Sequence, residues 1–206
     1  MRAARRGMTL LEAALTVSML GVLMTAVIAV YLMGVRAWSR SDVQAELLAD
    51  VEVLSNRLSR ALEQSAYEGL SVGDEGRAVA ILLPTDAEGG YQIDPEYGSS
   101  LWERYEIYYL DGETIRRREV PLVPGATQRQ NPGPIEQYNP GGGAAALESY
   151  LSGGAPVAHN VLDFQVQPLP ATRLVRITAR LEKWRYGKQD KEKMTLDTLI
   201  RMRNAP

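Results

Sequence analysis

A single carboxylate lies inside a long apolar segment near the start of the chain. The segment runs from Met8 to Val35, and Glu12 is its one charged side chain. An ionised carboxylate inside hydrocarbon costs about 3 kcal/mol, so an acid at this position is expected to have a function and an ionic partner. These residue types therefore predict ion pairing as the chemistry of this segment.

Known catalytic and metal-binding patterns give no competing prediction. The chain has no cysteine, which excludes thiolate nucleophiles and zinc–thiolate sites, and its one histidine, His159, excludes His-Glu-x-x-His. Glycines 141–143 have neither the strand nor the Lys-Ser/Thr of a phosphate-binding loop. The acidic pairs Asp74-Glu75 and Asp86/Glu88 lack the ligand spacing of a calcium loop. We predict no catalytic residues, no metal site and no cofactor.

The charges around the apolar segment predict how it enters a membrane. Its 28 residues would make a helix of about 42 Å, enough to cross a hydrocarbon core of about 30 Å. Arg2, Arg5 and Arg6 precede it and favour a cytoplasmic amino terminus. The short basic leader has no apolar core of its own, and no Ala-x-Ala site follows a core of 7 to 15 residues, so an ordinary secretory signal peptide is excluded. We expect a single pass through the inner membrane, with the carboxy-terminal domain outside the cytoplasm.

The junction between leader and apolar segment reads Gly7-Met-Thr-Leu-Leu-Glu12. Together with the basic leader, it resembles the class III signal of type IV pilins and pseudopilins. The resemblance implies that a prepilin peptidase cuts between Gly7 and Met8 and methylates the new amino group of Met8. Residues 1–7 would then be a leader peptide. The partners implied are other pilins or pseudopilins, the prepilin peptidase and the inner-membrane assembly platform.

Cleavage would change the charge around Glu12. Loss of the leader takes the side-chain charge from −2 to −5 and leaves an amine on Met8. Glu12 is four residues from that amine, roughly 6 Å along a helix axis. It could neutralise its own amino terminus, or pair with the amine of a neighbouring subunit and set the axial stagger of a filament. The alternative is an uncleaved anchor whose Glu12 reaches the inner headgroups.

The element that must position Glu12 is a long helix. No proline occurs before Pro84, so one helix over residues 8–66 is allowed. Residues 8–35 would form its transmembrane half and residues 36–66 an amphipathic half with apolar positions three or four apart. These apolar positions are Val43, Leu47, Val51, Leu54, Leu58 and either Ala61 or Leu62.

Small residues share one face of the transmembrane half. Such residues allow close helix packing in a membrane, although many membrane helices carry them by chance. Many major pilins have a proline about three turns beyond the acid, and its absence here favours a minor subunit. The candidate packing residues are Ala14, Ser18, Gly21, Thr25 and Ala29.

Residues 67–206 are predicted to form one β-rich domain, which makes the fold class α+β. Alternating strands around Asp111-Gly112 indicate a hairpin, and the alternation after Leu174 predicts a closing antiparallel pair. We expect the helix to cover one face of the sheet and water to cover the other. Segment 121–156 holds 6 prolines and 7 glycines, and a loop of that length is expected to be functional or mobile.

The order of these elements resembles J-type pseudopilins of type II secretion and W-type minor pilins. The features that carry this narrower resemblance are the aromatic hairpin 105–120, the Val-x-x-Phe stretch at 161–164 and the ending Leu-Ile-Arg-Met-Arg-Asn at 199–204.

Two basic clusters raise the alternative of nucleic-acid binding. Arg116-Arg117-Arg118 lies on a predicted strand, and Trp184 and Tyr186 are interleaved with basic residues in a later turn. Neighbouring acids and a pI of about 5.6 favour a solvated surface instead. The basic residues of that turn are Lys183, Arg185, Lys188, Lys191 and Lys193.

Three hypotheses follow, in order of support. The first is a minor pilin or pseudopilin that initiates or caps a type IV pilus or a type II secretion pseudopilus. The second is a filament-associated binding subunit, either an adhesin or a DNA-contacting pilin. The third is an uncleaved signal-anchored envelope protein or hydrolase. The host system, whether for secretion, motility, adhesion or DNA uptake, is not encoded in the amino-terminal signal.

Overall fold

A computed structural model describes residues 9–86, 88–138, 146–185 and 190–202. One long helix precedes eight strands, and short 3₁₀ turns connect several of them. The elements are α1 (Leu10–Gln64), β1 (Leu70–Gly73), β2 (Ala78–Leu83), β3 (Arg104–Asp111), β4 (Thr114–Pro121), β5 (Ala155–Ala158), β6 (Val161–Leu169), β7 (Leu174–Trp184) and β8 (Lys191–Arg201).

Helix α1 is continuous over 55 residues, or about 80 Å. Its amino-terminal cap is Thr9, and it ends where Ser65 adopts an extended backbone and donates its N–H to the carbonyl of Leu62 at 3.2 Å. The single helix expected from the proline-free sequence is confirmed. It begins at Leu10 and ends at Gln64, two residues inside the predicted bounds of 8 and 66.

The apolar stripe in the second half of α1 is the part that packs on the domain. Every predicted position is buried, including both alternatives at 61 and 62, and Leu47, Leu54 and Leu58 are fully buried. Full burial of a leucine contributes roughly 2 kcal/mol relative to an exposed one, so this stripe holds the helix to the domain. The stripe residues are Val43, Leu47, Val51, Leu54, Leu58, Ala61 and Leu62.

Two antiparallel sheets form the domain. The first has the strand order β1-β2-β3-β4-β5 and the second has the order β6-β7-β8. Residues from both sheets meet the helix stripe in one hydrophobic core, which includes Ile81, Tyr108, Phe164 and Ile177. The architecture is therefore α+β, with one helix packed on an antiparallel β-domain.

The first predicted hairpin forms, with its turn one residue later than expected. Asp111 pairs with Thr114 as the last rung of β3 and β4, so the two-residue loop is Gly112-Glu113. Gly112 has a φ of +62°, which suits glycine at the first loop position of a II′-type turn. The Asp-Gly signal located the hairpin but not its register.

The closing strand pair also forms as predicted. Strands β7 and β8 pair antiparallel from Leu174↔Arg201 to Trp184↔Lys191. In β7, Val175, Ile177 and the alternate residues that follow are buried against the core, while the intervening residues are exposed or half-buried. The expectation of one apolar face and one wet face is met in this sheet.

The five-stranded sheet departs from that expectation, because both of its faces are covered. Its outer face packs against the described parts of segment 121–156 in a second core, and all six residues of β2 are buried. The proline- and glycine-rich composition did not predict this packing, because it does not reflect the large apolar side chains that the segment contributes to the core. These anchors are Ile135, Tyr138, Leu147 and Tyr150.

Tyrosine hydroxyls fix this segment to the sheet. The hydroxyl of Tyr105 donates to the carbonyl of Gly133 at 2.6 Å, and that of Tyr138 donates to the carbonyl of Pro121 at 2.5 Å. Buried hydroxyls need such partners, and the backbone of an irregular segment supplies the free carbonyls. Burial is the main cause that raises the pKa of Tyr105.

Candidate functional site

The candidate site begins at the first described residue. Thr9 caps α1, whereas Arg2, Arg5, Arg6, Gly7 and Met8 lie outside the described residues. The predicted cleavage position, the methylated amine and the leader arginines therefore stay predictions. Glu12 and the small residues of the helix are within the described part.

Glu12 and Thr9 form a reciprocal cap at the start of α1. The backbone N–H of Glu12 donates to Oγ1 of Thr9 at 3.3 Å, and Oε2 of Glu12 accepts from the N–H of Thr9 at 2.9 Å and from its hydroxyl at 3.0 Å. This is the capping box, in which each residue satisfies an amide that the helix leaves unpaired. The carboxylate also lies at the positive end of the helix dipole, which stabilises its charge.

The capping box uses only one of the two carboxylate oxygens. Among the described residues, Oε1 of Glu12 has no hydrogen-bond partner. A carboxylate offers about four acceptor positions, so Glu12 can hold its own helix start and still accept an amine. The role of Thr9 was missed in the sequence, although Thr-x-x-Glu before an apolar run is the sequence signature of this cap.

The first half of α1 has no cover within the described chain. Every residue from Thr9 to Trp38 is exposed, and Leu10 retains 89% of its accessible surface. An apolar surface of this extent marks contact with lipid or with other proteins. This helix is long and apolar enough to cross a membrane.

The serine and threonine hydroxyls in this half are satisfied by groups of the helix itself. The hydroxyls of Thr16, Ser18 and Thr25 donate to carbonyls four residues earlier, at 2.7, 2.9 and 2.8 Å respectively. Such bonds keep hydroxyls from being orphaned in hydrocarbon. A Cβ built at Gly21 would meet no heavy atom within 4 Å, so nothing inside the described chain requires glycine there.

The predicted packing face exists as a surface, and its packing role stays a prediction. Spacings of three and four along one continuous helix place the five small residues on one side. All five are exposed, so a partner for this face would have to come from another chain or from lipid. They are Ala14, Ser18, Gly21, Thr25 and Ala29.

The three consecutive arginines of β4 contact the protein itself. Arg116 pairs with Asp111 at 2.7 Å, and Arg117 pairs with Glu106 and Glu119. Arg118 donates to the carbonyls of Tyr150 and Ser152 at 3.0 and 2.9 Å. These partners give the cluster a structural use and leave it poorly disposed to bind phosphates.

The basic turn after β7 is likewise paired with acids. Lys183 contacts Glu46 of the helix, and Arg185 contacts Glu192. Lys191 and Lys193 both contact Glu182, at 3.4 and 3.1 Å, whereas Lys188 lies outside the described residues. The salt bridge from Lys183 joins the β7–β8 hairpin to α1, and the other salt bridges lie within the hairpin.

A cleft of about 480 Å³ lies beside the other end of the helix. Arg57 and Arg60 line it from α1, and Arg104 and Arg117 line it from the sheet. The sheet arginines flank Glu106, which is nearly buried and accepts the hydroxyl of Tyr108 at 2.8 Å. Burial, and then the Glu106 carboxylate, raise the pKa of Tyr108.

One formal hydrolase pattern, Gly-x-Ser-x-Gly, was missed in the sequence, and the structure gives it another role. Residues 69–73 read Gly-Leu-Ser-Val-Gly, but a 3₁₀ turn follows them where a nucleophile elbow would open a helix. Ser71 is buried, donates to Oε2 of Glu136 at 2.7 Å and accepts the N–H of Ile135 at 2.8 Å. Ser71 therefore attaches residues 135 and 136 of segment 121–156 to β1.

The remaining titratable residues form no metal centre within the described ranges. The exposed His159 donates its backbone N–H to Asp50 at 3.1 Å. Asp74 pairs with Arg77, and Asp86 accepts the N–H of Gly90. Within those ranges no group of three or more histidine, aspartate or glutamate side chains is arranged to hold an ion.

Comparison with known proteins returned no relative. No family model, no curated protein and no solved structure matches this chain.

Proposed function

We propose that the chain is a minor pilin or pseudopilin, a structural subunit that a prepilin peptidase matures and that then enters a type IV pilus or a type II secretion pseudopilus. The observation that carries the proposal is the position of Gly7-Met-Thr-Leu-Leu-Glu12 at the start of one continuous helix. The first half of that helix is apolar and uncovered, and its second half is fixed to a β-domain.

The mechanism begins with the change of charge at the amino terminus. Cleavage after Gly7 removes the three leader arginines and exposes a cationic amine on Met8. In the membrane the Oε1 atom of Glu12 accepts that amine from its own chain or from a neighbour, because Oε2 is already engaged with Thr9. Pairing offsets the cost of holding both charges in a low dielectric. Pairing between subunits fixes how far one helix is displaced along the next.

The exposed half-helix then supplies the contacts that build the filament. Its serine and threonine hydroxyls are satisfied internally, so these positions can pass from lipid to neighbouring helices without breaking hydrogen bonds. The inner membrane holds the subunit before assembly, with the domain outside the cytoplasm. The assembly platform and other pilins are its partners, and the subunit starts or caps the filament.

A set of substitutions in the native cells tests the proposal. Glu12→Ala is expected to leave cleavage intact and to lower incorporation into filaments, measured as the sheared-to-membrane ratio of the protein. Gly7→Leu is expected to block maturation and to retain the leader. Glu52→Ala, an exposed acid in the second half of α1, serves as the matched control and is expected to assemble normally.

Normal filament incorporation of Glu12→Ala would remove the pairing role. Normal maturation of Gly7→Leu would remove the peptidase step.

A further inference from the structure

The end of the β7–β8 hairpin lies close to where the apolar segment of α1 ends. Arg40 of the helix pairs with Glu192 of β8 at 3.2 Å, and Gln44 donates to the same carboxylate at 3.4 Å. Lys183 of β7 contacts Glu46. These contacts place the Lys183↔Glu192 rung beside residues 40–46 of the helix.

The next rung lies nearer to the membrane. Trp184 pairs with Lys191 one residue beyond that rung, about 3.3 Å further along the strands, which corresponds to about two residues of helix. Trp184 is therefore at about the level of Arg40, roughly 7 Å above Val35 along the helix. The headgroup layer on each side of a bilayer is about 5–7 Å thick. With the end of the apolar segment at Val35 taken as the edge of the hydrocarbon core, this rung lies at the outer boundary of that layer.

The side chains of this rung suit a headgroup layer. Trp184 keeps 59% of its surface exposed, and Nζ of Lys191 lies 4.8 Å from the centre of its ring. An indole with one apolar face and one N–H donor is the side chain that membrane interfaces favour. Arg185 is engaged with the buried Glu192, whereas Lys191 is more exposed and its ammonium has three donors, so beside Glu182 it can also donate to a phosphate oxygen.

A second exposed tryptophan lies at the same level on another side of α1. Trp38 is 78% exposed and precedes the domain-facing Val43 by five residues, so it points about 140° away from the domain. Trp38 and Trp184 thus flank the helix at one height, as the aromatic side chains of an interface belt do. The third tryptophan, Trp102, is buried.

We propose that the Trp184↔Lys191 rung of the β7–β8 hairpin rests in the phospholipid headgroup layer, with the indole of Trp184 in the interface and the ammonium of Lys191 beside lipid phosphates. The domain then contacts the bilayer on one side of α1, which fixes its orientation before any assembly. This inference requires that α1 spans the membrane, but it does not require that the chain is a pilin.

Fluorescence quenching in vesicles tests the contact with the complete chain. Trp38→Phe retains Trp184 and Trp102, and Trp38→Phe/Trp184→Phe retains Trp102 alone, so their difference reports Trp184 without changing the buried tryptophan. Each variant is placed in phosphatidylcholine vesicles in which some lipids carry a nitroxide on the headgroup. Trp102 lies near the Arg104 end of the sheet, about twenty helix residues and roughly 30 Å beyond Arg40, and gives an unquenched baseline.

The expected result is that Trp184 loses about half of its emission to the nitroxide lipid, as Trp38 does in the unaltered chain. Equal quenching of Trp184 and Trp102 beside a quenched Trp38 would overturn the hairpin contact and leave the membrane span intact. Absence of quenching at Trp38 as well would contradict both the hairpin contact and the membrane span. Quenching of Trp184 by a single-stranded oligonucleotide, with none by nitroxide lipid, would overturn the lipid contact and indicate that this surface binds nucleic acid.

Discussion

The two halves of α1 are built by the same backbone and have opposite surroundings. From Val43 to Leu62 an apolar stripe is buried in the core, whereas from Thr9 to Trp38 every residue is exposed. The upper half is amphipathic because its domain covers only one side. The lower half is apolar all round, as expected for a helix whose whole circumference meets lipid or other helices.

The difference shows which residue types are accounted for by packing within the chain and which are not. Each buried position of the upper half has a partner in the sheets, so its residue type follows from packing within the chain. The apolar surface of the lower half has no such partner among the described residues. Its residue types are determined by surroundings that lie outside the chain.

The largest expected effect comes from the upper half. Leu54→Ala would remove a fully buried side chain and leave a cavity in the core, which lowers the free energy of unfolding by about 3 kcal/mol. Urea unfolding of the complete chain in detergent measures this value. A loss below 1 kcal/mol would show that the helix is not held by this stripe.

Alkaline pH should destabilise the domain, which contains buried tyrosines. Tyr105 and Tyr108 have a raised pKa when folded, so above about pH 10 only the unfolded chain ionises there and binds fewer protons. Stability therefore falls as pH rises, by about 1.4 kcal/mol per pH unit for each tyrosine. Urea unfolding between about pH 8 and pH 11 measures the slope.

Tyr108→Phe should lessen that slope, because it removes one of the ionising groups. Tyr97→Phe, at an exposed position, is the matched control and should leave the slope unchanged. An equal slope in all three proteins would mean that the buried tyrosines do not govern it.

A smaller effect is expected at the helix start. Thr9→Ala would remove the capping oxygen and cost about 1 kcal/mol of local helix stability, whereas Thr9→Ser keeps it. Hydrogen exchange of the first-turn amides should therefore rise in Thr9→Ala alone, with no change in domain unfolding. Unchanged exchange would show that the cap does not hold this turn.

Glu12→Gln separates the cap from the charge. Glutamine at this position still accepts from Thr9, so first-turn exchange should stay low. Filament incorporation should nevertheless fall as in Glu12→Ala, because the amine has lost its anionic partner. Normal incorporation would indicate that Glu12 acts only through the cap.

The smallest effect is expected from a leucine of the lower half. Leu23 is 61% exposed, and Leu23→Ala should change the free energy of domain unfolding by less than about 0.5 kcal/mol. The same urea titration used for Leu54→Ala measures it. A loss comparable with that of Leu54→Ala would mean that the lower half also packs on the domain.

Periodic patterns in the sequence were enough to predict much of this fold. The stripe from Val43 to Leu62 and the alternation of β7 are local signals, and both are confirmed. The role of segment 121–156 was not predictable in this way. Its attachment depends on tyrosines and carbonyls far apart in the chain, such as Tyr105 and Gly133, which no local period records.

The candidate site was predicted in part. Glu12 stands out as one acid in an apolar run, but its bond to Thr9 was missed because the acid was considered only as a partner for an amine. The salt bridges from Arg40 to Glu192 and from Lys183 to Glu46 join positions more than 130 residues apart. Sequence alone could not bring this hairpin beside residues 40–46 of the helix.

The central claim is that the mature chain begins at Met8 with a modified amine facing Glu12. Intact mass spectrometry of the protein extracted from its native membrane tests it most directly. The account predicts a mass that lacks residues 1–7 and carries one added methyl group. A chain that still begins at Met1 would contradict it.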